Sequence, residues 1–376
     1  MSKKIVPITL LTGYLGSGKT TLINHILTKQ NQYKIAVIVN DIGEVNIDAN
    51  LIEKGGIVNE RDESLVALSN GCICCNLKMD LVKQIKDITD QEKFDYIVIE
   101  ASGICEPIPI AQTITMLPEL LPKNTNQDIC RLDAIVTVVD ALRLKEEFNC
   151  GNNLKNEEFD EEDIEKLIIE QLEFCNIIIL NKVDELESPE LEEVKAVIKT
   201  IQPQAKIIET NYSQVDIDEI LDTKLFDLEA SVMTAGWIEA LENPEEKNDS
   251  EEVLEYGIST FVYYRRSPMN RDKFYRWLDS KWDKSIIRSK GVVYFSDEMN
   301  NSYMVESAGN SKNLMETGPW VSALPEEEQT MIIQQNPDIL TDWDDKYQDR
   351  MDKIVFIGKN MDKEAIITQL DTFLDE

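Results

Sequence analysis

The stretch "TLLTGYLGSGKTTLINHIL" (residues 9–27) joins an apolar run, a glycine-rich turn and an amphipathic helical pattern. Within it, Gly13 is followed by four residues and then by Gly18, Lys19 and Thr20. Glycines in such a turn let backbone amides point inward at a phosphate, and the following helix adds the positive end of its dipole. The spacing therefore predicts a phosphate-binding loop between a strand and a helix.

Two side chains of this loop have predicted chemical roles. Lys19 is expected to reach the β- and γ-phosphates of a nucleotide, and Thr20 is expected to offer its hydroxyl to Mg²⁺. The loop residues expected to contact the nucleotide are Gly13, Gly16, Ser17, Gly18, Lys19, Thr20 and Thr21.

Outward from the loop, apolar β-branched runs alternate with amphipathic stretches as far as about residue 225. Runs such as "KIAVIVN", "FDYIVIE", "LDAIVTVVD" and "CNIIILN" are typical of strands buried on both faces of a parallel sheet. In "SPELEEVKAVIKTI" (188–201), Ser188 is expected to cap a helix and Pro189 to occupy its first turn. The alternation predicts an α/β, P-loop NTPase domain with a mostly parallel sheet.

The pattern changes after this region. Residues 231–254 are acidic and lose their hydrophobic period, which favours a linker or surface loop. Aromatic-rich strand patterns and two helix patterns follow, so a small α+β C-terminal domain is expected. The predicted organisation is a first domain at 1–230, an acidic linker at 231–254 and a second domain at 255–376.

The identity of the base is indicated by "IIILNKVDEL" (177–186), where Asn181, Lys182 and Asp184 follow a buried strand. A carboxylate at Asp184 can accept hydrogen bonds from N1–H and the exocyclic amine of guanine, which adenine does not present in that form. Asn181 can meet the other edge of the purine, and the Lys182 stem can pack across the ring. These residues predict a guanine-nucleotide site.

Further acidic side chains follow two other predicted strands. In "FDYIVIEASGICEP" (94–107), Glu100 ends a strand where it can hold the Mg²⁺ shell or a water, and the Gly103 amide can sense the γ-phosphate. With Lys19 and Thr20, Glu100 completes the predicted catalytic set. In "VIVNDIGEVNIDANLI" (37–52), Asp41, Glu44 and Asp48 lie where a switch loop is expected. For each acid taken singly, a solvated loop carboxylate is an equally good interpretation.

Three of the seven cysteines, Cys72, Cys74 and Cys75, crowd into "SNGCICCNL" (69–77). Neighbouring side chains on an extended segment point apart, so packing does not account for all three; a metal site and a redox pair remain. Thiolates favour Zn²⁺, Cu(I) or Co²⁺, and tetrahedral zinc needs a fourth donor. Glu44 is the first candidate for that place and Asp41 the second; a water or a client protein would also serve.

Composition limits the partners and the compartment. The 38 basic and 71 acidic residues give a formal net charge of -33, which disfavours nucleic acid and anionic membranes as partners. No apolar stretch approaches a membrane span, and the start lacks the features of a signal peptide, so a cytoplasmic protein is expected. An odd number of cysteines in one half of the chain does not suggest a disulfide framework; the isolated four are expected to be buried thiols.

Taken together, the motifs resemble the CobW-type GTPases, a metallochaperone family related to the urease and hydrogenase maturation GTPases. The matching pieces stand in family order: "GYLGSGKTT", "NDIGEVNID", "GCICC", "IEASGICEP", "TVVDA", "LNKVD" and, in the C-terminal part, "IIRSKGVVYF" and "DKIVFIG". The resemblance implies hydrolysis of GTP with Mg²⁺, coupled to binding of a transition metal, zinc or cobalt, and its delivery to a client protein or cofactor pathway. It also implies that a homodimer across the nucleotide site is available to such a chain.

Two departures from the family pattern concern the metal. Many members carry a His-rich stretch, whereas this chain has the single histidine His25, which is expected to be a packed or surface residue rather than a ligand. Members often have an acid just before the switch asparagine, where this chain has Val39. A metal- or redox-sensing regulatory switch is the main alternative function; a small-molecule kinase is a third, which the N-K-x-D loop disfavours.

Overall fold

A computed structural model gives the architecture of the chain as two compact units. One unit comprises Met1–Asn152 and Leu167–Ala235, and the other comprises Asn153–Lys166 and Gly236–Glu376. The predicted domain boundaries stay a prediction, because positions 238 and 241 alone are described within 231–254. The residues that the structure describes are 5–29, 33–39, 65–67, 77–117, 129–148, 161–228, 238, 241, 256–309 and 311–375.

The first unit is built on a parallel sheet with helices. Its strands are β1 (Val6–Thr12), β2 (Ile35–Val39), β3 (Leu65–Ala67), β4 (Tyr96–Glu100), β5 (Cys130–Asp140), β6 (Ile177–Asn181) and β7 (Lys206–Thr210). Its helices are α1 (Lys19–Lys29), α2 (Leu77–Asp90), α3 (Pro107–Thr115), α4 (Ala141–Phe148), α5 (Glu161–Glu173, from Leu167 onward in this unit) and α6 (Ser188–Ile201).

The strand order, β3-β2-β4-β1-β5-β6-β7, puts the strand before the phosphate loop in the middle of the sheet. Each adjacent pair of these strands is parallel. All seven residues of β1 are buried, as its uninterrupted apolar run predicts. The α/β fold with a parallel sheet is therefore confirmed.

The core of this unit is mainly aliphatic. Leu22, Ile23 and Ile26 lie on one face of α1 and pack against sheet residues such as Val98 and Val136. This spacing of three and four residues gives the helix an apolar stripe that faces the sheet. The packing fixes the helix that follows the phosphate loop.

Helix α6 begins differently from the sequence prediction. Ser188 is the first helical residue, and Glu187 before it is the N-cap. The Glu190 carboxylate accepts a hydrogen bond from the Glu187 amide at 3.0 Å, which satisfies a backbone donor of the first turn. The prediction of a Ser188 cap was wrong because the reciprocal glutamate pair supplies the capping group one residue earlier.

The amino-terminal half of β5 carries a buried aspartate that joins several segments. Asp133 is fully buried and accepts hydrogen bonds from Arg131 (2.6 Å), the Tyr96 hydroxyl (2.8 Å), and the backbone amides of Thr223 (2.8 Å) and Lys224 (2.9 Å). Burial by itself raises the pKa of Asp133, but the hydrogen bonds outweigh burial and hold the pKa below its ordinary value. The charged carboxylate thus ties a surface segment to the sheet.

The second unit is built on an antiparallel sheet of β8 (Ile258–Arg265), β9 (Ile286–Phe295), β10 (Glu298–Ala308), β11 (Ser311–Pro319) and β12 (Asp352–Lys359). The strand order is β11-β10-β9-β12-β8. Its core is aromatic, with Phe274, Trp277, Phe295 and Phe356 packed together. Across the described ranges of both units, no helix is long and apolar enough to cross a bilayer. The helices of this unit are α7 (Arg271–Ser280), α8 (Glu326–Gln335) and α9 (Lys363–Asp371).

Candidate nucleotide-binding site

The predicted nucleotide-binding residues collect at the carboxyl ends of the central strands. Glu100 ends β4 and pairs in register with Leu11 of β1, two residues before Gly13. Asp140 ends β5 and pairs with Asn181, the last residue of β6. Because these strands are parallel neighbours, the phosphate loop, the predicted Mg²⁺ carboxylate and the base motif share one edge of the sheet.

The glycines of the phosphate loop occupy conformations that other residues seldom adopt. Gly13, Gly16 and Gly18 have φ values of 135°, 78° and 115°. A Cβ atom on Gly13 would overlap the carbonyl oxygen of Val138, and one on Gly18 would overlap the amide of Asn181. The loop therefore needs these glycines both for its backbone angles and for its close approach to the strand ends.

Lys19, the first residue of α1, closes this loop from inside. Its ammonium donates hydrogen bonds to the carbonyl oxygens of Gly13 (2.8 Å) and Tyr14 (3.2 Å), and the side chain is buried. Thr20 follows on the first turn of α1, half-buried, while Thr21 is exposed. Positive charge is thus held beside the helix N-terminus, where phosphate oxygens are expected.

Asn181 links the phosphate loop to the base side of the site. Its side-chain nitrogen donates to the Ser17 carbonyl (2.8 Å), and its side-chain oxygen accepts from the Ser213 amide (2.9 Å). The Ser213 hydroxyl in turn donates to the Gly18 carbonyl at 3.1 Å. Since an asparagine side chain offers two N–H groups, Asn181 keeps one N–H for a ligand after holding the two loops together.

The other residues of the base motif are presented outward. Lys182 has a left-handed backbone (φ 61°), and its ammonium forms an ion pair with Asp140. Asp184 is exposed, and its backbone amide donates to the Asn211 side chain at 3.1 Å. The Asp184 carboxylate therefore faces solvent while its backbone is anchored, as recognition of a base edge requires.

Asp140 and Ser213 were not predicted from the sequence as parts of this arrangement. Asp140 ends a buried apolar strand, as Glu100 and Asn181 do, so its position was an available signal. Ser213 was missed because its contacts with Gly18 and Asn181 join residues far apart in the chain.

The segment after β4 is held by a residue that also escaped prediction. Gln171 of α5 is buried, and its side-chain amide donates to the carbonyls of Cys105 (3.2 Å) and Gly103 (3.4 Å). Gly103 in turn contacts Leu15 so closely that a Cβ atom would lie 2.8 Å from the Leu15 amide nitrogen. Gly103 therefore lies against the phosphate loop, and Glu100 is almost fully buried three residues before it.

An arginine supports the loop from the side of α4. The Arg143 guanidinium lies over the Tyr14 ring, 3.9 Å from its centroid, and the Arg143 amide donates to Asp140 at 3.1 Å. Arg143, Tyr14, Ser17 and Gln171 line a pocket beside the loop. Asp140 thus bonds both Arg143, which packs on the phosphate loop, and Lys182 of the base motif.

The predicted metal ligands Cys72, Cys74, Cys75 and Glu44, together with Asp41, lie outside the described residues. Within the described ranges, no group of three His, Cys, Asp or Glu side chains is gathered closely enough to hold a metal ion.

The isolated cysteines that can be placed are buried thiols, as predicted. Cys105, Cys130 and Cys175 are buried and form no disulfide, and burial raises the pKa of Cys175 to about 12. Their low exposure sets them apart from a reactive thiolate. His25 is half-buried, and its Nε2 is hydrogen-bonded to the carbonyl of Val215 at 2.8 Å.

Comparison with known proteins gives two family matches on this chain. Residues 7–209 match the family model of the CobW/HypB/UreG nucleotide-binding domain. Residues 258–374 match the model of the cobalamin synthesis protein cobW C-terminal domain.

Curated relatives align with much of the chain. A "zinc-regulated GTPase metalloprotein activator 1" of Dictyostelium discoideum is 35% identical over 96% of this chain and 78% of its own length. A protein of the same name from Schizosaccharomyces pombe is 41% identical over 58% of this chain, and the match spans about half of that relative, 49%. The "zinc chaperone YjiA" of Escherichia coli is 32% identical, with 60% of this chain and 65% of that protein covered.

One solved structure, the Zn(II)-bound YjiA GTPase from E. coli, superposes with a TM-score of 0.43 at 21% identity and covers 99% of each chain.

Proposed function

The chain belongs to the CobW/HypB/UreG family of nucleotide-binding proteins, and from this premise we propose that it is a GTP-hydrolysing metallochaperone. Its activity is that of a GTPase, which cleaves the bond between the β- and γ-phosphates. The observation that carries the proposal is the position of Asn181, whose side chain bonds both the phosphate loop and the base-side loop. A phosphate site and a guanine-type motif thereby form one pocket edge.

The catalytic work falls to a few residues at the phosphate end. Lys19 supplies a buried positive charge beside the loop carbonyls, where it can turn to the β- and γ-phosphates. The Thr20 hydroxyl and the Glu100 carboxylate are oxygen donors of the kind that Mg²⁺ prefers, so the donor set fits that ion. When bound, Mg²⁺ would neutralise negative charge on the phosphates. Glu100 can also orient water, because it lies buried at the end of β4.

We assign the cargo metal to Cys72, Cys74 and Cys75, with Glu44 as the fourth donor and Asp41 as the alternative. Support comes from the thiolate chemistry, which suits zinc, and from the names of the relatives, which describe zinc-regulated or zinc-chaperone proteins. Cobalt would be bound by the same donors less securely. Three thiolates leave a position open for exchange with a client metalloprotein or cofactor pathway. The cytoplasm, where thiols stay reduced, is the compartment in which we expect this exchange.

Nucleotide and metal are coupled, in this proposal, through the segments on either side of the cysteines. Asp41 lies in the preceding segment, and Gly103 lies in the following one, against the phosphate loop. GTP would change the conformation of both segments and with it the metal affinity of the cysteines, and hydrolysis would reverse that change. By linkage, the metal must alter GTP affinity by the same factor as GTP alters metal affinity. A homodimer across the nucleotide site is compatible with this scheme.

The test is a zinc titration of the reduced full-length chain with a GTP analogue, with GDP and without nucleotide. We expect zinc affinity to differ between the two nucleotide states by at least about fivefold, the low end of allosteric coupling. The Cys72/Cys74/Cys75→Ser variant should lose the tight zinc site, whereas Cys150→Ser, at an isolated cysteine, should keep it. Equal zinc affinity in all three states would eliminate nucleotide-controlled delivery.

A second variant separates the two sites. Lys19→Ala should lose GTP hydrolysis while it retains zinc binding in the absence of nucleotide. Metal-independent disulfide formation among the three cysteines at cellular potentials would instead favour a redox-sensing switch.

A further inference from the structure

The loop after β7, residues 211–213, forms the rim of the base site. Asn211 accepts a hydrogen bond from the Asp184 amide at 3.1 Å, and the Ser213 amide donates to Asn181 at 2.9 Å. The loop thus spans the distance between the two residues that read the base edge. Tyr212, which lies between Asn211 and Ser213, is consequently positioned at the base site by contacts on both of its sides.

The backbone of this loop is strained at two consecutive non-glycine residues. Tyr212 and Ser213 have φ values of 54° and 53°, a left-handed conformation that L side chains seldom adopt. Ser213 accounts for its own conformation, because its amide and hydroxyl bond Asn181 and the Gly18 carbonyl. Strain of this kind persists where surrounding contacts enforce it, and it concentrates at ligand-binding positions.

The side chain of Tyr212 has no packing role that explains its presence. It is 73% exposed, the largest exposure among the large hydrophobic side chains in the described part of the chain. A glycine or asparagine would adopt the same backbone angles more readily. Tyr212 is held outward in a strained conformation, beside the residues proposed to bind the base. A contact between its ring and the ligand would explain this arrangement.

We propose that the Tyr212 ring stacks on the face of the bound guanine and forms one wall of the base pocket. The Lys182 stem is suited to the other face, because its ammonium is fixed by Asp140. This inference rests on the proposed guanine-nucleotide function, and it names a residue that increases the affinity for the nucleotide. Stacking uses the π-face common to all bases, so Tyr212 adds affinity while Asp184 provides selectivity.

Calorimetric titration of the full-length chain tests the stacking contact. Tyr212→Ala should weaken GDP binding by about tenfold, within the range of base–aromatic stacking, and Tyr212→Phe should stay near the wild-type affinity. Binding of inosine diphosphate, which lacks the exocyclic amine, should fall by the same factor as binding of GDP. Inorganic tripolyphosphate, which has no base, should bind wild type and Tyr212→Ala equally.

Two further variants exclude a folding defect as the cause. Tyr212→Gly relieves the left-handed strain, so its melting temperature should equal or exceed that of wild type while its GDP affinity falls as in Tyr212→Ala. Tyr275→Ala removes a tyrosine that is also exposed, at 45%, but lies in the second unit, and should leave GDP affinity unchanged.

The outcomes distinguish the inference from the function on which it rests. Wild-type GDP affinity in Tyr212→Ala, or equal loss of tripolyphosphate and GDP binding, would overturn the stacking contact. ADP binding as tight as GDP binding in the wild-type chain would overturn guanine selectivity instead. In that case, tenfold weaker ADP binding by Tyr212→Ala would still support the contact.

Discussion

Single buried polar residues hold the first unit together at both ends of its sheet. At the carboxyl end, Asn181 is 2% exposed and joins two loops whose residues are distant in the chain. Towards the amino end, Asp133 is fully buried and joins β5 to the segment around Thr223. A buried polar group without partners is costly, so each of these residues enforces one arrangement of the backbone around it.

The stability contributed by the Asp133 carboxylate should depend on pH in a defined direction. Its pKa in the folded chain lies below the ordinary value of 3.8, so its stabilisation is complete above that value and is lost as pH falls through the folded pKa. Asp133→Asn should lower the free energy of unfolding at neutral pH by about 2–3 kcal/mol, because a charge-assisted acceptor is removed. Urea unfolding at a series of pH values measures this difference.

The difference between wild type and Asp133→Asn should shrink once the pH drops below 3.8. Asp279→Asn, at an exposed aspartate, is the control and should change stability little at any pH. A difference for Asp133→Asn that stays constant through the acid range would contradict the role of the charge.

Among single residues, those that belong to a local motif could be predicted from the sequence. Those whose contacts join distant parts of the chain could not. Lys19 and Asn181 were predicted from spacing within ten residues, and the structure places Lys19 at the start of α1 and Asn181 at the end of β6. Gln171 could have been suspected, since it is a polar residue beside Leu172 on an otherwise apolar helical face. Tyr14 and Arg143 could not, because their contact depends on where α4 meets the loop.

Among the elements, the phosphate loop and α1 together form the predicted phosphate-binding structure. The glycines give the loop its shape, and the apolar face of α1 fixes the helix whose N-terminus follows the predicted phosphate site. Gly13 and Gly18 are more constrained than Gly16, because a Cβ atom on Gly13 would overlap the Val138 carbonyl and one on Gly18 would overlap Asn181 and Ser213.

Gly18→Ala should therefore be much more harmful than Gly16→Ala. Gly16 has a positive φ, but no atom lies within 4 Å of the place that a methyl group would take, so alanine there should cost about 1–2 kcal/mol from backbone strain alone. At Gly18 the methyl group would also displace Asn181, adding about 1–3 kcal/mol and abolishing tight GDP binding. Urea unfolding and GDP titration of both variants provide the comparison; equal losses would contradict it.

Element types were more predictable than element ends. Uninterrupted apolar runs predict the buried strands of the first unit, since both faces of a central parallel strand are covered. The start of α6 was predicted one residue late, because Ser188 and Glu187 are both able to cap a helix and a side-chain hydrogen bond decides between them. The edge strand β11 had no clear signal: its exposed residues do not follow an apolar alternation.

For the whole molecule, two units of different chemistry share one chain. The first has a parallel sheet with an aliphatic core and carries the nucleotide site. The second has an antiparallel sheet with an aromatic core and a family match of its own. Sequence composition predicted this contrast, because β-branched runs dominate the first part of the chain and aromatic residues the second.

The aromatic core has a spectroscopic consequence. Four of the five tryptophans, Trp277, Trp282, Trp320 and Trp343, belong to the second unit, so indole emission is mainly an optical label for that unit. GDP at about 100 times its Kd should stabilise the first unit by about 2.7 kcal/mol. In urea titrations followed by far-ultraviolet circular dichroism, one transition should therefore move with GDP while the indole transition stays in place. An indole transition displaced equally by GDP would mean that the two units unfold as one, and the same label would then report nucleotide binding without any added dye.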